Sequence, residues 1–172
     1  KKLAELYGLE CEVTKIGFKY IAEIMTHEDV LVGGEESGGL AVKGHIPERD
    51  GVWMGILIME FMAVTGKSIK QLIAEVYEKV GSFSFERDDH HITNAIKDEV
   101  MRKCKEGEVK MIGSRPVVRT ETIDGYKFYL NDDEWIMVRA SGTEPVLRIY
   151  AQTPSTAQSR TLLDEAAKSL MG

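Results

Sequence analysis

Cysteine is scarce in this chain. Cys11 and Cys104 lie far apart, and neither has a partner at the spacing of a metal or redox motif. Two lone thiols suit a reducing compartment, so the cytoplasm is the expected location. Positive charge is short as well: 22 Lys and Arg against 28 Asp and Glu leave a net charge of −6, with no basic cluster to offset it. That argues against a nucleic-acid partner. No apolar run approaches the ~20 residues of a membrane span, so no membrane partner is expected. The most apolar segment, residues 52–64, is interrupted by Glu60 and reads as a buried helix. No secretory leader is expected, and no internal repeat or low-complexity tract is seen. The opening Lys1-Lys2 without methionine reads as a cut product rather than a natural start. What remains is ordinary for a globular protein: 172 residues, 43% hydrophobic and 29% charged, enough for one large or two small domains with real cores.

Taken in order, the periodicity predicts a short helix stopped at Gly8, a strand over 9–13, a helix over 18–25 and a buried strand at 30–32. This alternation implies a partial parallel sheet with helical crossovers. A helix over 51–65 stops at Gly66, and Ser68-Ile69-Lys70-Gln71 is a capping box for the next helix, which Gly81 ends. The polar, acidic stretch 82–91 reads as an inter-domain connection. Beyond it come a helix over 93–104 and strands at 117–122 and 126–130, with Asp124-Gly125 as a hairpin signal. A central strand begins at Trp135, another runs through 146–150, and a last helix reaches residue 170, with Thr153 as its N-cap. The expected fold is therefore an α/β unit over 1–85 followed by an α+β unit over 89–172. The latter holds a four-stranded antiparallel sheet and two helices.

Two loops carry the chemistry. Arg139-Ala140-Ser141-Gly142-Thr143-Glu144-Pro145 joins two alternating strands, with Arg148 in the second. A positive φ at Gly142 would let successive N–H groups converge into an anion-binding nest. Ser141 and Thr143 add rotatable donors, and Arg139 or Arg148 could grip two oxygens at once. The set suits one phosphate group, although a plain β-connection uses the same residue types. The other loop, 33–39, places four glycines around Glu35, Glu36 and Ser37 at a strand's carboxyl end, where ligands of open α/β sheets bind. Carboxylates accept sugar hydroxyls well. Glu35 and Glu36 without a third ligand do not make a metal site, nor do the adjacent His90 and His91. A solvated acidic loop is the alternative.

Together, Gly34-Glu35-Glu36-Ser37-Gly38 and the 139–145 segment closely resemble the sugar-binding and phosphate-binding loops of the α-D-phosphohexomutases, which include phosphoglucomutase and phosphomannomutase. Order and separation agree. Thr14-Lys15-Ile16-Gly17-Phe18-Lys19 and His45-Ile46-Pro47-Glu48-Arg49-Asp50-Gly51 resemble further segments of the family, so the likeness runs through most of the chain. It implies the C-terminal part of a four-domain enzyme, an incomplete third domain and a whole fourth. That enzyme interconverts hexose 1-phosphate and hexose 6-phosphate through a phosphoserine and a bisphosphate intermediate. The phosphoserine loop and the Asp-Gly-Asp Mg²⁺ loop have no counterpart here, so this chain alone should be inactive. The full-length enzyme would use Mg²⁺ and a hexose 1,6-bisphosphate activator, with neither held by this chain.

By the same resemblance, Arg139, Ser141, Gly142, Thr143 and Arg148 would bind the distal phosphate, with Glu144 orienting an arginine or the loop. Glu35 and Ser37 would bind the sugar O3 and O4, and Lys19 would reach the substrate. His45 is a possible acid/base, but no catalytic residue is assigned. Some mannose-favouring members carry His where Gly39 stands, which points to the glucose side, and phosphoglucosamine mutases carry Gln where Glu36 stands, which points away from that branch; glucose versus mannose preference is not set by the sequence. The expected partners are a hexose phosphate and the enzyme's N-terminal domains. A stand-alone sugar-phosphate-binding module is the alternative function. The sequence sets no oligomeric state.

Overall fold

Helix caps and glycine stops build the first unit, Lys1–Val80, from four helices and one hairpin; the computed structural model describes residues 1–172. Helix α1 (Lys2–Leu6) gives way at Gly8, φ +66°. Helix α2 (Phe18–His27) leads to strands β1 (Val32–Gly34) and β2 (Leu40–Val42). Helix α3 (Gly51–Thr65) is capped by Asp50, whose carboxylate accepts from Trp53 N at 2.9 Å, and ends on the left-handed Gly66. Helix α4 (Ile69–Val80) opens on the expected capping box: Ser68 N donates to Gln71 Oε1 at 2.8 Å and Gln71 N to Ser68 Oγ at 3.4 Å.

The unit is α/β, but its strands are antiparallel, Val32 opposite Val42 and Gly34 opposite Leu40. The parallel sheet predicted from helix–strand alternation is not formed. A connection as short as 35–39 can only return the chain antiparallel, because a parallel crossover needs a dozen residues or more. Residues 9–13 alternate like a strand but belong to no sheet. The strand predicted as buried at 30–32 lies at Val32–Gly34, with Leu31 and Val32 exposed. Helix α3 also departs from expectation. It is apolar on every side yet buries only Met54, and Val52 and Val64 are 77% and 79% exposed. A two-stranded hairpin offers too little surface to cover it. No single helix is long and apolar enough to cross a membrane.

The second unit, Gly81–Gly172, contains β3 (Ser84–His91), α5 (Asn94–Lys105), β4 (Met111–Ile112), β5 (Arg115–Pro116), β6 (Arg119–Glu121), β7 (Tyr126–Tyr129), β8 (Trp135–Ala140), β9 (Val146–Thr153) and α6 (Thr156–Met171). Its main sheet is antiparallel in the order β3-β9-β8-β7-β6, while β4 and β5 form a separate ribbon. The sheet has five strands where four are predicted. The addition is β3, from the stretch read as a connection, and it pairs with β9 along its whole length. Its exposure alternates residue by residue, but its sequence has no apolar alternation. Glu86 and Asp88 turn toward α6 and are held by Arg160 at 2.9 and 2.6 Å, so helix-facing positions are filled by ion pairs.

The core follows the two periods of strand and helix. Ile136 and Val138 of β8 and Leu147, Ile149 and Ala151 of β9 face Leu162, Leu163, Ala166 and Leu170 of α6, with Val100 and Cys104 of α5. The opposite face carries Tyr129, Trp135 and Tyr150 packed with Met137. The cap of α6 is Ser155, accepting from Gln158 N, rather than Thr153. Thr153 is instead buried, its hydroxyl 2.9 Å from Ser159 Oγ.

Candidate functional site

The loop between β8 and β9 is tied down from several directions. Ser141 N donates to Val146 O at 2.9 Å, Glu144 N to Ser141 Oγ at 3.3 Å, and Val146 N to Glu144 O at 2.8 Å. From the start of α5, Lys97 Nζ donates to Glu144 O at 3.3 Å, and Ile92 N donates to Pro145 O at 3.1 Å. The contacts of Glu144 therefore hold the loop through its backbone. Gly142 does not take the positive φ expected of a nest. The turn is closed by the Ser141 hydroxyl and the strand hydrogen bonds, which need no left-handed residue. A Cβ at Gly142 would meet nothing within 4 Å. Packing inside the unit thus does not call for glycine there, and the space above it is open. Gly142 and Thr143 are exposed, and Ser141 half-buried.

Arg139 and Arg148 stand opposite each other on β8 and β9 at the root of this loop. Both side chains are about a third exposed or less: 29% for Arg139 and 30% for Arg148. Arg148 faces Asp89 of β3, at 3.6 Å from Nε to Oδ2, rather than Glu144. The structure therefore gathers Arg139, Ser141, Gly142, Thr143 and Arg148 at one end of one sheet.

In the first unit, the turn between β1 and β2 is closed by Glu35 N to Gly39 O (2.9 Å) and Gly38 N to Glu35 O (3.0 Å), with Gly38 at φ +91°. Ser37 and Glu36 project into solvent, while the Glu35 side chain is only 11% exposed. Arg49 Nη1 pairs with Glu35 Oε2 at 3.1 Å, and its guanidinium lies over the Phe18 ring at 5.3 Å. A Cβ at Gly39 would stand 2.5 Å from Arg49 Cδ. Arg49 thus links the loop to the first turn of α2. There Lys19 is exposed, with Nζ 4.9 Å from the Tyr20 ring centroid.

His45 is held in the cap of α3. Its Nε2 is 2.9 Å from Asp50 Oδ2, and its ring stacks on Trp53 at 4.7 Å between centroids. The hydrogen bond from Trp53 N, helped by the one with His45, holds the Asp50 carboxyl below its ordinary value. No group of three or more His, Cys, Asp or Glu side chains gathers to hold a metal, so these residues do not fit a Mg²⁺ site. A cavity of about 400 Å³ in the second unit includes Cys104, Lys110, Val117 and Phe128 in its walls and none of the residues above. Burial pushes the Cys104 thiol up to about 11, so it is no nucleophile.

This geometry can be set beside known proteins. The phosphoglucomutase/phosphomannomutase family matches twice, its alpha/beta/alpha domain III over residues 1–80 and its C-terminal domain over residues 96–169. The chain belongs to that family. A phosphoglucomutase/phosphomannomutase of Thermococcus kodakarensis is 32% identical over 98% of this chain and 34% of its own length. A phosphoglucosamine mutase of Rubrobacter xylanophilus is 30% identical over 96% of this chain and 34% of its own length. Among solved structures, a protein assigned as a phosphomannomutase, from Thermus thermophilus, superposes with a TM-score of 0.78 at 31% identity. It covers 99% of this chain and 33% of that protein. The chain spans about a third of the length of the relatives it matches.

The loop residues are legible in the sequence, whereas the side chains that hold them are not. Arg49 was visible only as part of a family-like stretch, and its pairing with Glu35 depends on a loop fourteen residues away. Asp89 and Lys97 reach their partners only through strand register and the placement of α5. Asp124 reads as a turn residue, yet it also lies 3.6 Å from Arg139 Nε.

Proposed function

We propose that this chain is the C-terminal part of a phosphohexomutase, contributing sugar-hydroxyl recognition and the distal phosphate clamp of an enzyme that interconverts hexose 1-phosphate and hexose 6-phosphate. The observation that carries this reading is the facing pair Arg139 and Arg148 at the root of a loop whose Gly142 is open above. Two guanidiniums and two hydroxyls at one end of one sheet match the oxygens of a phosphate monoester by charge and by donor count. In this proposal Arg139, Ser141, Gly142, Thr143 and Arg148 bind that phosphate. Such a clamp reads the phosphate and ignores the carbon behind it, which suits a bisphosphorylated sugar that must bind either way round.

Glu35 and Ser37 take the ring hydroxyls, and Lys19 reaches the substrate from α2. Arg49 holds the Glu35 side chain through their 3.1 Å ion pair, and a carboxylate accepts a sugar hydroxyl well. His45 is the candidate acid/base, held by Asp50 and Trp53. Phosphoryl transfer itself belongs to a phosphoserine and a Mg²⁺ site outside these residues, in a cytoplasmic full-length enzyme activated by a hexose 1,6-bisphosphate. Relatives of similar identity bear the names of both phosphoglucomutase/phosphomannomutase and phosphoglucosamine mutase; Glu36 speaks against the phosphoglucosamine branch and Gly39 for glucose.

The test is a calorimetric titration of the 172-residue chain with glucose 1-phosphate, repeated on Arg139→Ala. Binding by the parent that is lost in the variant supports the clamp. Equal binding by both overturns the role of Arg139. A stand-alone binding module differs in one result, since it would bind fully without any N-terminal domains added in trans.

A further inference from the structure

The two arginines stand where like charges repel, because side chains directly opposite on neighbouring antiparallel strands are close. Arg139 on β8 is the partner of Arg148 on β9, and Arg148 is the partner of Asp89 on β3. On the far side of Arg139, the turn between β6 and β7 sets Asp124. The row across the sheet therefore runs Asp89, Arg148, Arg139, Asp124. In each outer pair an aspartate Oδ2 lies 3.6 Å from the arginine Nε. That distance allows ionic attraction but exceeds a hydrogen bond, and Arg148 Nε is buried without a hydrogen-bond partner.

Further contacts fix the row. Asp89 Oδ1 also meets Arg87 Nε at 3.0 Å, so one carboxylate serves two arginines. Gly125, at φ +82°, lets the β6–β7 turn come close. A Cβ there would stand 2.5 Å from Val138 O and 3.4 Å from Arg139 Cβ. This approach is what brings Asp124 beside Arg139.

We propose that Asp89 and Asp124 are positioning residues of the phosphate site. Each draws the Nε edge of one arginine outward, which leaves the terminal amino groups of the pair for a single phosphoryl group between them. The inference rests on the phosphate reading of the β8–β9 loop. It assigns the site a doubly charged phosphate monoester, whose oxygens supply the acceptors that two facing cations lack. It also makes a prediction of sign. A carboxylate that acted only as a nearby negative charge would weaken anion binding, and its removal would tighten it. A positioning carboxylate does the opposite.

The test uses the 172-residue chain with inorganic phosphate and with glucose 1-phosphate, read by calorimetry and by the NMR signals of the arginine Nε–H groups. Asp89→Asn and Asp124→Asn should each weaken both probes about tenfold, the scale of one charge-assisted hydrogen bond lost between a misdirected arginine and the phosphate. The Nε–H of Arg148 or Arg139, respectively, should exchange faster. Asp89→Glu should recover part of the affinity, and it keeps the test decisive if Asp89→Asn fails to fold. Asparagine variants that bind as tightly as the parent, or tighter, overturn the proposal. A parent that binds neither probe overturns the phosphate reading itself, and this inference with it.

Discussion

The two units solve the burial problem to different degrees. In Gly81–Gly172, α5 and α6 cover one face of a five-stranded sheet, and side chains such as Ile136, Leu147 and Leu163 are almost wholly buried. In Lys1–Val80, only Phe18, Ala41 and Met54 are buried among the apolar residues, while α3 leaves Ile56, Met59, Phe61 and Val64 exposed. Exposed apolar area of that kind belongs against another surface. The difference bears on function because each unit carries one loop. The proposed phosphate loop sits on a frame with its own core, whereas the proposed sugar loop sits on a hairpin three residues long in each strand. The β8–β9 loop is thus framed by the buried core of its own unit, and the β1–β2 loop has no comparable core beneath it.

Hydrogen exchange should show the largest contrast. Amides of β8 and β9 should be protected to the full unfolding free energy of their unit, and those of β1 and β2 by far less. Equal protection in the two units would break the comparison. Next in size is a pair of substitutions. Leu163→Ala should cost the second unit about 2–5 kcal/mol in a denaturant melt. Val64→Ser on exposed α3 should stay within about 0.5 kcal/mol.

The Asp50 cap offers a smaller effect with a defined sign. Its folded value is depressed, first by the Trp53 N–H and then by His45. Its contribution is therefore complete above the ordinary value of 3.8 and is lost as pH falls through the depressed folded value. Asp50→Asn should flatten the acid limb of an α3 helicity profile read by circular dichroism, and an unchanged limb would remove the cap from the account. The smallest structural effect should come from Gly142→Ala. With no atom within 4 Å of the new methyl and an ordinary φ, the melt should not move, while phosphate affinity falls. A destabilised variant with normal affinity would make Gly142 a folding residue instead.

Much of this frame is legible in the sequence because the signals are local. Ser68 and Gln71 cap α4 through contacts three residues apart, and Gly8 and Gly66 end helices where their periodicity stops. Both loops are marked by glycine, hydroxyl and charged residues between alternating runs. The misreadings concern partners supplied from elsewhere. Strand β3 shows no apolar alternation because Arg160 of α6 neutralises its helix-facing carboxylates. The apolarity of α3 states a need for burial without saying whether anything meets it. The conformation of Gly142 escaped because Ser141 Oγ closes the turn by another route. The Asp89–Arg148 contact exists only once register is set.

The most direct test of a clamp set by the second unit is a titration of the 172-residue chain with inorganic phosphate, followed by backbone amide shifts. Phosphate has no sugar, so it isolates one loop from the other. The account predicts saturable shifts at Ser141, Gly142 and Thr143 and at the Arg139 and Arg148 side chains, with Glu35 to Gly39 unmoved. Silence at residues 141–143, or shifts centred on the first unit, would contradict it.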